Sequence, residues 1–347
     1  MDNLLHPHQS HVLTSQGHST TMAASCTEPP PLPEVALMPP KTPSKARQDS
    51  TQVHQERPPL IKVYLTLMKP KIILLLLVVT WGAMLVAGGG HVGWMPFLWA
   101  TVGGIAASGG ANAINHYLDS DIDERMYRTK LRPVPAGHVR PATNAVIFGV
   151  LLNILAFVVF TTQLNLLSAL LSLAGTLYYV FIYTMLLKRR THHNVTIGGV
   201  AGAIPALVGW AAVVGSLGLG AWLLFLIVFF WTPPHTWALT LVIKRDYARV
   251  DVPMLPVAVG DEEARRQILI YSWLFFVVTL LPTVFGVSGW LYAIAALLSG
   301  AQFMRLAYQV YHQGERKESF RLFKFSMLHL TILIAAMVLD VVLIMAR

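Results

Sequence analysis

Uncharged apolar stretches recur along the chain from about residue 72 onward. Each is long enough for a helix to cross a hydrocarbon layer of about 30 Å, which takes about 20 residues. The predicted helices cover residues 72–90, 95–115, 143–161, 166–187, 195–215, 219–242, 268–286, 289–308 and 325–345. We therefore expect an all-α, polytopic membrane protein with about nine transmembrane helices.

The composition supports this class of protein. Of the 347 residues, 54% are hydrophobic and only 12% are charged, which is more apolar surface than a soluble domain of this size could cover with polar side chains. The pattern indicates one helical domain over residues 58–347, because no loop within it is long enough to fold by itself. A single cysteine, Cys26, excludes an intramolecular disulfide framework.

The positive charges predict how the helices are oriented. Of the 26 lysines and arginines, all but Arg347 lie before the first predicted helix or at and after the ends of the second, fourth, sixth and eighth. Basic residues near helix ends are retained on the cytoplasmic side, so we expect a cytoplasmic N-terminus, an external C-terminus and a location in the cell inner membrane. The net charge of +9 then reflects topology, and its dispersal over short loops argues against nucleic acid binding.

Residues 1–57 form a separate region of the sequence. Proline, serine, threonine, glutamine and histidine dominate it, and a stretch such as EPPPLPEVALMPPKTP supports neither a helix nor a core. We expect a disordered tail that acts as a spacer. A metal-binding or regulatory role for its histidines is the alternative.

An acidic cluster follows the second predicted helix, in the stretch NHYLDSDIDERMYRTKLRP (115–133). Asn115, Asp119 and Asp123 are four residues apart, which places them on one face of an α-helix with about 6 Å of rise per step. Carboxylate and amide oxygens suit Mg²⁺, which completes its shell with water and substrate phosphate. An amide side chain at the end of an apolar run is costly unless it binds a partner. We therefore interpret the three residues as ligands for Mg²⁺, with a diphosphate completing the shell. A solvated acidic face is the alternative.

Basic residues follow these acids directly. Arg125, Arg128, Lys130 and Arg132 could neutralise phosphate oxygens through charge-assisted hydrogen bonds. The retention of positive charge on one side of the membrane explains the same residues equally well. The sequence leaves both interpretations open.

A second charged stretch, KRDYARVDVPMLPV (244–257), follows the sixth predicted helix. Asp246 is the better candidate for a further metal-binding carboxylate, which would give a two-metal clamp on a diphosphate. Lys244 beside it could bind the phosphate groups, while Asp251 is interpreted as a loop acid. The pattern predicts no role for Asp340 in the last helix.

Two histidines are candidates for a role within the membrane region. His235 follows Pro233 and Pro234, which interrupt helical hydrogen bonds at membrane depth, and His116 lies at the mouth of the second helix. Either could carry protons or ligate a haem iron. Structural hydrogen bonding is the first interpretation for His235.

Four stretches, in order, resemble the UbiA superfamily of intramembrane prenyltransferases. They are NHYLDSDIDERMYRTKLRPVPAG (115–137), YTMLLKRRTHHNVTIGGVAGAIPALVGW (183–210), WTPPHTWAL (231–239) and KRDYARVDVPMLPV (244–257). The last three are most similar to the members that farnesylate protoheme IX, and the similarity runs from about residue 60 to the C-terminus. The resemblance implies an all-α bundle with a central cavity open to lipid and a polar cap on the cytoplasmic side.

The same resemblance implies roles for particular residues. It matches Asn115, Asp119 and Asp123 to the first magnesium motif of the superfamily and Asp246 to the principal acid of the second. Tyr183 and Lys188 match residues that approach the diphosphate. The implied reaction joins farnesyl diphosphate and protoheme IX to give haem O and diphosphate, with Mg²⁺ as cofactor. A haem A synthase or an oxidase assembly factor would be a further partner.

Two other functions compete with this one. A prenyltransferase acting on a quinone precursor would share the first motif, but KRRTHHN and TPPHTWAL fit the haem branch better. A haem or ion transporter would also carry intramembrane acids and broken helices. Transport would require polar residues threading both halves of the bilayer, whereas here the acids cluster with bases on one side.

Overall fold

The computed structural model of the protein describes residues 58–345, so the predicted tail, residues 1–57, lies outside the described residues. All regular structure within that range is helical, as predicted. The helices in chain order are α1 (Leu60–Met68), α2 (Pro70–Ala87), α3 (Trp94–Leu118), α4 (Ser120–Arg125), α5 (Asn144–Gln163), α6 (Leu166–Leu187), α7 (Asn194–Val214), α8 (Leu219–Ala248), α9 (Leu255–Ala258), α10 (Asp261–Val284), α11 (Trp290–Gln313) and α12 (Arg316–Asp340). A π-helical turn, Val341–Met345, continues α12.

Eight of these helices are long and apolar enough to cross a membrane: α2, α5, α6, α7, α8, α10, α11 and α12. The protein is therefore a multi-pass membrane protein, and the prediction of about nine spanning helices is close. The predicted helix at 95–115 forms α3, which has 25 residues but is not among the eight. Its sequence is rich in glycine and carries Asn112, Asn115 and His116, and these residues lower its apolar character.

Several helices extend beyond their predicted ends at one end of the bundle. α8 continues to Ala248, α10 begins at Asp261 and α12 begins at Arg316, whereas the apolar pattern predicted boundaries at 242, 268 and 325. Lysine, arginine and glutamate are good helix formers, so the helices continue into the charged segments that a hydrophobic pattern does not detect. We call this the polar end of the bundle: α3 and α8 end there, and α10 and α12 begin there.

The helices pack around one large core and a smaller one. The larger joins α2, α7 and α8 with α10, α11 and α12, and includes Trp237, Phe275 and Tyr292. The smaller joins α3, α5, α6 and α7. Between α3 and α5 the backbones approach so closely that a side chain on Gly149 would lie 2.6 Å from the carbonyl oxygen of Gly110. Small residues permit such contacts between membrane helices.

Two local breaks in regular structure position side chains at the polar end. Lys69 adopts a left-handed conformation, with φ 57° and ψ 62°, between α1 and α2, and Pro70 starts α2 at the position where proline is tolerated. The second half of α6, Tyr178–Leu187, is π-helical. In α8 the backbone leaves helical geometry at Ile243, just before Lys244, and not at Pro233 or Pro234.

Candidate functional site

Asn115, Asp119 and Asp123 come together at the polar end of α3. The prediction placed them on one continuous α-helix, but α3 ends at Leu118 and Asp119 has φ −95° and ψ 2° between α3 and α4. The spacing survives this break, because the backbone nitrogens of Asp119 and Asp123 still donate to the carbonyls four residues earlier, at 2.9 and 2.8 Å. The side-chain amide of Asn115 donates to Asp119 Oδ2 at 2.7 Å.

All three side chains are almost fully buried, with residue exposures of 3%, 1% and 2% in chain order. A solvated acidic face, the alternative interpretation, is therefore wrong for these residues. Asp121, between them, is 61% exposed and forms a bidentate pair with Arg189 at 2.6 and 2.7 Å. The hydrogen bonds from Arg189 lower the pKa of Asp121 below its ordinary value. The acidic stretch thus separates into two buried carboxylates and two exposed ones, Asp121 and Glu124.

Each buried carboxylate is paired with a cation from another segment. Lys188 Nζ lies 2.5 Å from Asp119 Oδ2, and Arg132 Nη1 lies 2.7 Å from Asp123 Oδ2. The structure thus brings Lys188 and Arg132, both candidates for binding a diphosphate, to the acids. Buried pairs of this kind interact strongly because water does not screen them.

Lys69 is a third cation at the cluster, and the sequence analysis did not single it out. Its Nζ donates to Asn115 Oδ1 at 2.7 Å. Burial, together with repulsion from Arg132 and Lys188, lowers the pKa of Lys69 to about 7, against the attraction of Asp119 and Asp123. A left-handed conformation in a residue other than glycine costs about 1–2 kcal/mol, and such strain concentrates at functional sites. The Lys-Pro dipeptide before an apolar run was the available signal.

The π-helical part of α6 directs several side chains toward this cluster. Thr184 accepts a hydrogen bond from the amide of Asn115 at 3.3 Å, and Tyr183 stacks on Tyr179 with ring centroids 5.5 Å apart. Lys188 follows the segment directly, with its backbone nitrogen bonded to the carbonyl of Tyr183 at 2.8 Å. π-helical turns are frequent at functional sites.

The segment after α8 lies against the segment after α3. Asp246 accepts a hydrogen bond from the backbone nitrogen of Arg128 at 3.3 Å, and Arg125 donates to the carbonyl of Arg249 at 2.8 Å. Asp246 also pairs with Arg249 at 3.7 Å, and Lys244 forms an ion pair with Asp261. Arg125, Arg128 and Asp246 therefore connect the two charged stretches, while Lys244 is engaged by α10.

Both candidate histidines are packed by neighbouring groups. The ring of His235 stacks on Trp231 at 4.0 Å and lies 4.8 Å from Phe323, with Nδ1 2.6 Å from the hydroxyl of Ser326. These contacts join α8 to α12, in line with the structural interpretation. His116 is 1% exposed, and neither ring nitrogen has a hydrogen-bond partner among the described residues.

A cavity of about 350 Å³ lies beside the acidic cluster, among α2, α3, α6, α7 and α8. Apolar and small residues dominate its walls, including Leu76, Ala107 and Val208. Asn112, Tyr179 and Tyr183 also line it, and Asn112 is one helical turn before Asn115. The cavity therefore runs from the buried polar cluster into the apolar interior of the bundle.

The donor set at the cluster fits Mg²⁺ in the form that this ion takes with phosphate substrates. Mg²⁺ is bound through one or two carboxylates together with substrate phosphates, and Asp119 Oδ1 is a buried oxygen without a hydrogen-bond partner among the described residues. Within residues 58–345, no three His, Cys, Asp or Glu side chains approach closely enough to hold a metal ion by themselves. A metal here would thus rely on Asn115, Asp119, Asp123 and the substrate, with Asp246 at the adjoining segment.

Comparison with other sequences identifies relatives. Residues 75–332 match the sequence model of the UbiA prenyltransferase family. A protein named protoheme IX farnesyltransferase from Roseiflexus sp. (strain RS-1) is 47% identical over 310 residues, which cover 89% of this chain and 58% of that protein. A protein of the same name from Gloeobacter violaceus is 47% identical over 278 residues, which cover 80% of this chain and 91% of that one. This chain thus spans less than two thirds of the length of the Roseiflexus protein.

Comparison with solved structures gives the same fold. A structure of digeranylgeranylglyceryl phosphate synthase has a TM-score of 0.68 at 18% identity, covering 81% of this chain and 98% of that chain. A UbiA homolog from Archaeoglobus fulgidus bound to GPP and Mg²⁺ has a TM-score of 0.58 at 13% identity, covering 79% of this chain and 99% of that chain. At these identities the likeness establishes the arrangement of helices.

Proposed function

Because the chain belongs to the UbiA prenyltransferase family, we propose that it transfers the farnesyl group of farnesyl diphosphate to a vinyl group of protoheme IX, with water addition, to give haem O and diphosphate. The relatives named protoheme IX farnesyltransferase support this acceptor. The reaction belongs to haem O and haem A biosynthesis for terminal oxidases, and a haem A synthase or an oxidase assembly factor would receive the product.

The observation that carries the proposal is the junction of the cavity with the buried charges. The cavity volume of about 350 Å³ is at the lower end of the range of about 300–1,000 Å³ for ligand pockets. Its apolar walls suit a prenyl chain. Two of its lining residues connect it to the charged cluster. Asn112 donates to the carbonyl of Met68, next to Lys69. The carbonyl of Tyr183 accepts from the backbone nitrogen of Lys188. A ligand with one apolar tail and one highly anionic head matches this arrangement.

Three cations face two carboxylates at this end of the cavity. Asn115, Asp119, Asp123 and Asp246 would hold Mg²⁺, which when bound supplies positive charge to the diphosphate oxygens. Lys188 and Arg132 pair with Asp119 and Asp123, and with these carboxylates shared by a metal both cations would be able to donate to the phosphate groups as well. Arg125, Arg128 and Lys244 add positive charge on the adjoining segments.

The chain then supports cleavage of the allylic C–O bond. The cations stabilise the leaving diphosphate. Tyr179 and Tyr183 line the cavity, and their ring faces would attract the positive charge that develops on the allylic carbons. The farnesyl cation bonds to the terminal vinyl carbon of the haem, which leaves a cation on the adjacent carbon. Water adds to that carbon and releases a proton, so the acceptor gains one farnesyl group and one hydroxyl group. The apolar walls keep water from the first cation.

We place the polar end at the cytoplasmic face of the cell inner membrane. The distribution of lysine and arginine supports this orientation. These residues cluster at the polar end of the helices, and basic residues near helix ends are retained on the cytoplasmic side. Both charged substrates would then enter from the cytoplasmic side. Single cysteines introduced at Lys130 and at Gly286, with labelling of intact cells by a membrane-impermeant thiol reagent, test this. Labelling at position 286 but not at 130 is expected, and the reverse would overturn the orientation.

The test of the reaction uses the purified full chain in detergent with haem b, farnesyl diphosphate and Mg²⁺, followed by mass analysis of the haem. A mass increase equal to one farnesyl group plus one hydroxyl group is expected. An unchanged haem, with a quinone precursor prenylated in a parallel reaction, would overturn the acceptor but retain the prenyl transfer. Failure with both acceptors, in protein shown to be folded by circular dichroism, would overturn the enzyme assignment.

A further inference from the structure

A groove of about 490 Å³ lies between α11 and α12, away from the cavity already described. Its lining includes Gln302, Arg305 and Gln309 of α11 and Arg321, Lys324 and Leu328 of α12. On each helix these residues are three or four positions apart, so they share one face. The groove thus combines amides, three cations and an apolar edge.

Two of the three cations of this groove, Arg305 and Lys324, have no acidic partner within residues 58–345. Arg321 pairs with Glu318 at 3.0 Å. Among the described residues the side chains of Arg305 and Lys324 make neither a hydrogen bond nor an ion pair, and the Lys324 ammonium lies 4.6 Å from the centre of the Phe320 ring. Two cations therefore remain for an anionic group from outside the chain.

The position of the groove along the helices corresponds to the headgroup layer of a membrane. Arg305 lies eight residues before the end of α11 at Gln313, and Lys324 lies eight residues after the start of α12 at Arg316. At 1.5 Å per residue both are about 12 Å below the connection between the helices. Arg305 lies three residues inside the end of the predicted span 289–308, and Lys324 lies directly before the span 325–345.

Exposed apolar side chains continue from the groove toward the middle of the bundle. Leu298 is 71% exposed and lies one turn from Gln302 on the same face of α11, while Leu328 is 53% exposed on α12. Further along, Ile294 and Leu339 are 47% and 50% exposed. An amphiphile with a negative head and apolar chains matches this order of cations followed by leucines.

We propose that the groove between α11 and α12 binds the phosphate of an anionic glycerophospholipid, with Arg305 and Lys324 on the phosphate and the acyl chains along Leu298 and Leu328. Basic grooves between membrane helices recognise such headgroups. Gln302 and Gln309 can donate to the remaining headgroup oxygens. A zwitterionic lipid offers one phosphate but adds a cation, which the two unpaired residues would repel.

The experiment is native mass spectrometry of the intact full chain, released from detergent after titration with phosphatidylglycerol, with phosphatidylcholine or with inorganic phosphate. The test variant is Arg305→Gln combined with Lys324→Gln. The matched control is Arg316→Gln combined with Lys317→Gln, which removes the same charge from the exposed start of α12 outside the groove. Loss of one basic contact to an anionic lipid corresponds to about fivefold in affinity, so the test variant should bind phosphatidylglycerol about 25-fold more weakly.

The control variant should bind phosphatidylglycerol with an affinity within about twofold of the unmodified protein. The unmodified protein should bind phosphatidylcholine more weakly than phosphatidylglycerol. Equal losses in test and control variants would overturn the site, as would equal binding of the two lipids or displacement of the lipid by equimolar inorganic phosphate. If the test variant does not fold by circular dichroism, the lipid preference of the unmodified protein decides. The variant Arg305→Lys should then retain it.

Discussion

The side chains of Asp119 and Asp123 are 1% and 2% exposed, whereas Asp246 is 15% exposed and its partner Arg249 is 59% exposed. The ion pairs of the first two measure 2.5 and 2.7 Å, and that of Asp246 measures 3.7 Å. Exposed pairs contribute little because water screens them, and buried ones hold their geometry. The stretch after α3 is therefore preorganised, while the stretch after α8 is free to change partners when a substrate arrives.

The largest effect is expected from Asp119→Asn, compared with Asp121→Asn as the matched control. Asp119 is at the centre of the buried cluster, and loss of a preorganised electrostatic group of this kind lowers the rate by about 10²–10³. Asp121 is exposed and pairs with Arg189, so its variant should stay within about twofold. Prenyl transfer measured at saturating Mg²⁺ decides, and comparable rates in the two variants would refute the division of the acidic stretch.

Lys69→Met should have the next largest effect. Its ammonium donates to Asn115, and a hydrogen bond to a charged group contributes about 1.5–3 kcal/mol. We expect the KM for farnesyl diphosphate to rise by about 10- to 100-fold, with Lys69→Arg recovering part of it. Lys62→Met on the exposed face of α1 is the control. A KM unchanged by Lys69→Met would show that Lys69 only holds the helix break.

Asp246→Asn should have a smaller effect, and one of a different kind. Because Asp246 is loosely held, its replacement should weaken metal binding. The Mg²⁺ concentration that gives the half-maximal rate should rise about tenfold. Titration of the rate with Mg²⁺ measures this. If saturating Mg²⁺ fails to restore Asp246→Asn to within a fewfold of the unmodified protein, the contrast between the two stretches does not hold.

The pair Asp121–Arg189 should give the smallest effect, and it concerns stability. The folded-state pKa of Asp121 is lowered by Arg189, so the pair stabilises the fold above the ordinary aspartate pKa of about 3.9 and loses that contribution as the pH falls through the lower folded value. Exposure limits it to at most about 1 kcal/mol. The melting temperature of Asp121→Asn should lie slightly below that of the unmodified protein at pH 7, and the gap should close as the pH is lowered below 3.9. A gap independent of pH would contradict this origin.

The sequence predicted the helical class, most of the spanning helices and the cluster around Asn115. The length of an apolar stretch and a four-residue spacing are local properties of the chain, so both can be read without the fold. It did not predict Lys69, whose contact with Asn115 spans 46 positions and depends on a backbone conformation that the Lys-Pro dipeptide does not specify. Asp340 is similar. It is fully buried and accepts a hydrogen bond from the backbone nitrogen of Gly289 at the start of α11, a pairing across 51 positions that periodicity does not reveal.

The two proline-containing segments show why local signals can mislead. Pro233 and Pro234 suggested a broken helix at membrane depth, yet α8 continues through them and loses helical geometry at Ile243. Neighbouring helices pack around the prolines, which are buried, and such packing lets a membrane helix tolerate them. At Lys69 and Pro70, by contrast, the chain does break, with Lys69 in the left-handed conformation between α1 and α2.

In the π-helical segment Tyr178–Leu187, deletion of a residue should disturb the structure more than substitution of one. Hydrogen bonds across five residues accommodate more residues in each turn than an α-helix does. Deletion of one residue would let the segment relax toward an α-helix, which changes the angle between the side chains before the segment and those after it. Tyr179 would keep its place on the cavity wall while Lys188 turned away from Asp119, so a single missing codon would uncouple the two ends of the site.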